Sequence, residues 1–281
     1  MILIDLNQVL LASLSAQIAG QKNVKIEEDL VRHLSLNIIR GHVRRFKQEY
    51  GEVILCCDNR TYWRKEYFAF YKANRKKNRD KSTLDWKLIF DILSKLKEEL
   101  KENFPYKVID VTGAEADDII GTLAPRHCAS EKVLIISSDG DFLQLQMYAN
   151  IKQYNPTQKK FVVSVNPMDE LKAKIISGDS GDGIPNILSP GDTFVRGIRQ
   201  KTMTEGRMTE YMGKHYTDYD ETAKIGFTRN QVLIDLRNIP GDIRNSIIDT
   251  YDNTKPAPRS KLLTYFMEKK LKNLMEVIGE F

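Results

Sequence analysis

Three short apolar runs in this chain end in aspartate: residues 1–5 (MILID), 53–58 (VILCCD) and 132–139 (KVLIISSD). Uninterrupted runs of this kind suit strands buried on both faces, not strands with one wet side. Between them, Leu30, Val31, Leu34, Ile38, Val43 and Phe46 recur at helical spacing over 27–48, and Leu88, Ile89, Ile92, Leu93, Leu96 and Leu100 over 84–100. Residues 106–111 read as a further strand, 115–124 as a short helix, and 151–154 with 161–165 as a closing hairpin around Pro156. Strands alternating with helices imply a mostly parallel sheet covered on both faces. In such a sheet, functional groups gather beyond the carboxyl ends of the strands, which is where the aspartates fall.

After about residue 166 the strand signal fades and the chain reads helical, with breaks at Pro185, Pro190, Pro240-Gly241, Pro256 and Pro258. This places a domain boundary near 166; residues 202–222 stay unassigned. At 281 residues, 41% hydrophobic and 29% charged, the chain can fill a real core, which excludes a disordered or collagen-like protein. No run approaches eighteen uncharged apolar residues, so no membrane span is expected, and Asp5 argues against a secretory signal. Cys56, Cys57 and Cys128 cannot form a disulfide framework and suggest buried thiols in a reducing compartment. The four histidines make no zinc spacing with them.

Asp5, Asp58 and Asp139 end strands, Asp141 follows two residues on, and GAEADDIIG sets Glu115, Asp117 and Asp118 at the start of a helix. Any one of these commonly caps a turn or answers a helix dipole. Together they put up to seven carboxylates from four segments at one sheet edge. Like charges so close need counter-charge, and an all-oxygen set suits hard divalent ions, Mg2+ first and Mn2+ second. Residues 177–187 (SGDSGDGIPNI) add Asp179 and Asp182 between Gly178, Gly181 and Gly183, whose backbone could approach a phosphate. The net charge of +5 is a local matter. Residues 60–81 hold nine cations (Arg60, Arg64, Lys65, Lys72, Arg75, Lys76, Lys77, Arg79 and Lys81) against Glu66 and Asp80. A basic window on a near-neutral body suggests a polyanionic partner. With the carboxylates, it points to metal-assisted phosphodiester hydrolysis.

The ordered set LIDLNQ, LCCDN, FYKANR, GAEADDIIG, ISSDGDF and GDSGDGIPN resembles the structure-specific 5′-nucleases, or flap endonucleases, including the members named RNase H in T-even bacteriophages. The likeness runs on through VLIDLRNIP at 232–240 to Gly279-Glu280-Phe281. It implies an α/β, PIN-like nuclease domain over 1–166, with a mostly parallel central sheet flanked by helices and an arch over about 60–82. It also implies a smaller all-helical C-terminal domain over 167–281 with a helix–three-turn–helix motif. The implied activity is 5′→3′ exonuclease and flap endonuclease cleavage of RNA–DNA and DNA duplexes near 5′ ends, removing lagging-strand primers in phage replication. Two Mg2+ are implied, with Mn2+ as a substitute. Asp5, Asp58, Asp117 and Asp139 would hold the first, and Glu115, Asp141, Asp179 and Asp182 the second, partly through water; Asp118 matches an extra acid of the motif. Lys72 and Arg75 match the basic pair facing the scissile phosphate. Arg64, Lys65, Lys72, Arg75, Lys76, Lys77, Arg79, Gly178, Gly181 and Gly183 would bind DNA. A monomer in the host cytoplasm is implied, with branched DNA, a single-strand DNA-binding protein and a sliding clamp as partners and no membrane. Gly183 stands where the family usually has Asn, and LSPGDTFVRGI replaces the Gly-rich stretch that often binds potassium.

Helical spacing puts Arg64, Phe68, Lys72, Arg75 or Lys76, and Arg79 on one side of a helix, beside an aromatic stripe of Trp63, Tyr67 and Phe70/Tyr71. The arch reading has these cations guide single-stranded 5′ ends while the aromatics partly stack on bases. It also expects 75–81 to be mobile or disordered without DNA. Two rival readings are a haloacid-dehalogenase-like phosphatase, weakened by Asn7 where a second Asp is needed, and a non-catalytic branched-DNA-binding protein.

Overall fold

The computed structural model describes residues 1–18, 26–80 and 84–281, with the backbone alone for 17, 18, 76–78 and 80. Six strands form one sheet in the order β3-β2-β1-β4-β5-β6. They are β1 (Ile2–Asp5), β2 (Val53–Cys56), β3 (Lys107–Ile109), β4 (Val133–Ile136), β5 (Ile151–Asn155) and β6 (Lys160–Val162). All neighbours pair parallel except β5 with β6, which form the antiparallel hairpin at the edge. β1 lies between β2 and β4, so both its backbone edges are paired and all four residues are buried. That explains its unbroken apolar run. Its side chains alternate: Ile2 and Ile4 enter one core, Leu3 the other.

The connections before β4 are helical: α1 (Leu6–Ile18) and α2 (Glu28–Tyr50) after β1, α3 (Trp63–Tyr67), α4 (Ala73–Asp80) and α5 (Trp86–Asn103) after β2, and α6 (Ala116–His127) after β3. The chain works outward from β1 to β3 and then crosses back beyond β1 to β4. The strand order therefore reverses between β1 and β4, the place where the carboxyl ends open a crevice. Asp85 starts α5 by accepting from Leu88 N, and Ile89, Ile92, Leu93, Leu96 and Leu100 line its buried face as the spacing predicts, while Leu88, placed on the same stripe, is exposed in the first turn. α1 is absent from the expectations above; its sequence carries no sharp amphipathic contrast.

Beyond 166 the chain is helical: α7 (Pro167–Ser177), α8 (Glu205–Gly213), α9 (Glu221–Ile234), α10 (Gly241–Asn253), α11 (Lys261–Glu268) and α12 (Lys272–Met275). The first part has its own core, where Ile175, Ile187 and Phe227 meet Phe68 and Tyr71 from the 60–82 segment. The remainder returns to the sheet. Leu236, Ile239 and Ile247 join α6 on one face, while Leu262, Phe266 and Phe281 join α2 and α5 on the other. The two sequence halves thus share their cores. On the second face Phe104 meets Phe266 and Phe281 edge-on at 6.0 and 5.8 Å.

Phe266 is fully buried, so Phe266→Ala should cost the whole protein about 3–5 kcal/mol. Urea unfolding followed by tryptophan fluorescence should show one transition, shifted as a unit. Loss of only a C-terminal signal would mean that α11 is not part of the sheet's core.

Candidate active site

Four carboxylates line the switch point. Asp5, the last residue of β1, is 4% exposed and accepts from Ser137 Oγ at 3.0 Å and Gln8 N at 3.3 Å. Asp58 lies two residues past β2 and accepts from Ala116 N, at the start of α6, at 2.9 Å, and from Asn7 Nδ2 at 3.0 Å. Asp117 is in the first turn of α6. Asp139 opens the 3-10 helix Gly140–Met147, its Oδ1 accepting from Asp141 N at 2.9 Å. Burial, then Asp58 and Asp139, push the Asp5 carboxyl up to about 8. Burial, then Asp139 and Asp5, hold Asp117 well above the usual carboxylate range. Asp139 is raised by burial, with Lys174 opposing and Asp182 and Asp179 adding to it. These groups feel one another as like charges do at short range.

The remaining acids are bound to cations. Lys72 Nζ donates to Glu115 Oε1 at 2.5 Å and lies 3.8 Å from Asp182 Oδ2. Arg75 pairs with Asp182. Tyr71 Oη donates within reach of both Asp182 (2.9 Å) and Glu115 (3.2 Å). Burial pushes Asp182 up, but Lys72 and Arg75 outweigh it and leave its carboxyl below the usual range. On the other flank Lys174, from α7, pairs with Asp141 and reaches Asp179 Oδ2 at 3.1 Å.

As the side chains lie, no three Asp, Glu, His or Cys residues among those described stand close enough to hold one metal ion. The donor set nonetheless fits a hard divalent cation. It is all oxygen, its uncompensated members repel one another, and ammonium groups stand in as cations among the rest.

The structure corrects several readings of the basic window. Arg64 is buried: it donates to Leu233 O at 2.9 Å and to Glu115 at 3.0 Å, and pairs with Asp118 at 2.8 Å. It is an internal brace, not a DNA contact. Asp118 is fully buried, with Oδ1 taken by Arg64 and Trp63 and Oδ2 by Glu115 N in a capping box. That commits it to supporting the site, away from metal ligation. The expected single helix is broken into α3 and α4, because the chain turns sharply at Lys72, whose φ is +56°. Trp63, Phe68 and Tyr71 are buried, so they serve packing; Tyr67 alone of the stripe is half exposed, and Phe70 is partly covered. Lys65, Arg75 and Arg79 are exposed, and Arg79 sits over the Phe90 ring. Where mobility was expected over 75–81, residues 75–80 belong to α4, tied at its start by Asn74 Nδ2 to Ser180 O at 2.9 Å and by Arg75 to Gly181 O and Asp182. Lys76 and Lys77 lie within α4; Lys81 is outside the described residues.

The glycines of 178–183 serve the chain's own close packing. Gly178 N donates to Lys174 O and Gly183 N to Ser180 O. A Cβ on Gly178 would lie 2.4 Å from Ile184 O, and one on Gly183 2.9 Å from Phe70 O. Gly181 is exposed in the same turn. Lys174, Ser137 and the Tyr71 hydroxyl are site residues absent from the expectations. Their partners lie far off in the chain, and no local pattern marks them.

Residues 1–175 match the family model described as 5′-3′ exonuclease, N-terminal resolvase-like domain, and residues 165–281 match T4 RNase H, C terminal. Ribonuclease H of Enterobacteria phage T4 is 36% identical, with 99% of this chain and 95% of that protein aligned. Flap endonuclease Xni of Shewanella sp. (strain MR-4) is 33% identical over 46% of this chain and 49% of its own. Two solved structures share the fold at 16% identity. T5 5′-exonuclease with bound zinc has a TM-score of 0.63, covering 91% of this chain and 99% of that one. T5 flap endonuclease in a pseudo-enzyme-product complex with DNA and metal ions scores 0.61, covering 89% and 97%.

Two measurements test the site's electrostatics. Asp5 carries its proton up to about 8 when folded but only to about 3.8 when unfolded. Between those values the folded chain binds more protons, so the stability of the metal-free protein should fall as pH rises. Melts in chelator from pH 5 to pH 8 should show this decline, and Asp5→Asn should flatten it and raise Tm at pH 8. Arg64→Met, which leaves the fully buried Asp118 without its counter-cation, should cost about 3–5 kcal/mol in urea unfolding; a loss of DNA affinity with unchanged stability would restore Arg64 to the DNA surface.

Proposed function

The chain belongs to the 5′-3′ exonuclease family and is a 5′ nuclease, and from that premise we propose that it is a Mg2+-dependent 5′→3′ exonuclease and flap endonuclease acting on RNA–DNA and DNA duplexes. The observation that carries this reading is the group of four carboxylates at the switch point of a parallel sheet: Asp5, Asp58 and Asp139 at or just past strand ends, and Asp117 in the first turn of α6. They would hold one ion, and Glu115, Asp141, Asp179 and Asp182 the other, partly through water. Two Mg2+ bound there, or Mn2+ in their place, would supply an activated water and steady the leaving oxygen.

The chain's own residues do the rest. Ser137 Oγ, Ala116 N and Asn7 Nδ2 fix how Asp5 and Asp58 present their oxygens. Lys72 and Arg75, beside Glu115 and Asp182, put positive charge where a scissile phosphate would gather negative charge. The exposed Lys65 and Arg79, on the same segment, attract a 5′ end from solution. Branched or flapped DNA and RNA–DNA duplex are the substrates this arrangement suits. Primer removal on the lagging strand, contact with a single-strand DNA-binding protein and a sliding clamp, a monomeric state and a place in the host cytoplasm go with the reading. A phosphatase of the haloacid-dehalogenase kind is disfavoured, because Asn7 is committed to Asp58.

A 5′-labelled flap, a blunt duplex and a small phosphate ester, each with and without Mg2+, separate the alternatives. Wild-type protein should cut the flap only with Mg2+ and leave the ester intact; flap binding without cutting would mean a junction-binding protein. Asp139→Asn should abolish cutting while preserving flap affinity, and wild-type turnover would sink its assignment. Lys72→Ala should lower the single-turnover rate by about 10²–10³-fold, with a smaller effect on binding.

A further inference from the structure

The two groups of acids differ in one respect that the proposed chemistry does not require. Each of Glu115, Asp182, Asp141 and Asp179 has a lysine ammonium within ion-pairing distance: Lys72 serves the first two and Lys174 the last two. Asp5, Asp58, Asp117 and Asp139 form no ion pair with any described residue; their polar contacts are backbone N–H, Ser137 and Asn7. The lysines are not on the loose surface. The Lys72 side chain is 14% exposed and the Lys174 side chain 29%. They come from different elements, Lys72 from the turn before α4 and Lys174 from the last turn of α7.

An ammonium and a divalent ion cannot share the same carboxylate oxygens at full strength. A cation entering the second group must displace the lysines, whereas one entering the first displaces no side-chain cation among the described residues. We propose that Lys72 and Lys174 are resident counter-ions of the second carboxylate group, holding Glu115, Asp182, Asp141 and Asp179 in place until a divalent ion replaces them. This rests on the metal-dependent reading above. Ion binding is then ordered, the first group filling before the second. Lys174 is a positioning residue that sets the affinity of the second ion. Displacement also frees the Lys72 ammonium to face substrate when the acids no longer need it.

The test is calorimetric titration of the DNA-free protein with Mg2+ at fixed ionic strength. Wild-type protein should show a tighter and a weaker site. Lys174→Met should tighten the weaker site about fivefold, the scale of two partly exposed ion pairs, and leave the tighter one unchanged. Lys174→Arg, which keeps the charge, should behave as wild type. Lys214→Met, which removes a lysine paired only with Glu210 on α8, should also match wild type, since loss of net charge alone is not the cause. A Lys174→Met protein with an unchanged or weakened second site would overturn the proposal. Lysine Nζ resonances of unaltered protein give a readout free of folding effects: two should shift at the second equivalent of Mg2+ and not at the first. If both stay fixed throughout, the lysines are not displaced. Absence of any Mg2+ binding would instead defeat the metal-dependent reading itself.

Discussion

Mutual repulsion among acids at the carboxyl edge of the sheet is the constraint to which this structure answers. Parallel strands β1, β2 and β4 can be wholly apolar along their length, but their ends must meet water or counter-charge. The chain places Asp5, Asp58 and Asp139 at or just beyond those ends and brings Asp117 in on α6. Burial makes their charge expensive, and proximity compounds it. Everything nearby supplies compensation: the α6 amide at Ala116, the Ser137 hydroxyl, and lysines from segments on both flanks. A set so arranged is unfavourable on its own, and on the proposed reading a doubly charged ion would relieve it, which would make an unstable corner of a fold useful for chemistry.

The support for that corner comes from farther along the chain. Arg64 ties the acids of the α6 N-terminus to Leu233 O at the end of α9, so α3, α6 and α9 are joined through one guanidinium. Trp63 caps the same arrangement by donating to Asp118. The C-terminal helices then cover both faces of the sheet, which fixes the strand ends from behind. A cation-rich window that looks like one DNA-facing helix is therefore divided in two. Its first half is built into the core through Trp63, Arg64, Phe68 and Tyr71, and its second half begins at Lys72, where the chain turns toward solvent.

Short-range patterns made much of this legible. Apolar runs ending in aspartate located β1, β2 and β4, and the spacing of Ile89, Ile92, Leu93, Leu96 and Leu100 located the buried face of α5. Parallel topology then followed from alternation, and with it the edge where the acids collect. What stayed hidden depends on partners remote in sequence. Arg64 reads as one cation among nine until Glu115 and Asp118 come to meet it. Lys174 is an ordinary residue of a short amphipathic helix whose partner Asp141 lies 33 residues earlier. The burial of Phe68 and Tyr71 needs α7 and α9, which helical spacing within 60–82 cannot supply. α1 is illegible for a local reason: apolar residues lie around it with little polar contrast, so periodicity carries little signal.

The turn at 178–184 shows how a departure from a family pattern can be absorbed. Gly183 stands where the family resemblance leads one to expect an asparagine, and its φ of +73° with Phe70 O close by leaves no room for a Cβ. An asparagine could not occupy this backbone without moving the 70–72 strand of chain away. The contact is tied from the other segment: Asn74 donates to Ser180 O, while Lys72 N donates to Asp182 O at 2.7 Å. The segment bearing Lys72 and Arg75 is thereby fastened to the loop bearing Asp179 and Asp182 by backbone as well as side chains. Asp182 is thus held at both ends, main chain to Lys72 N and carboxylate to Tyr71, Lys72 and Arg75. Any movement of the basic segment must therefore also move this acid, so that, on the proposed reading, the charge facing a phosphate and the charge facing a metal would change together.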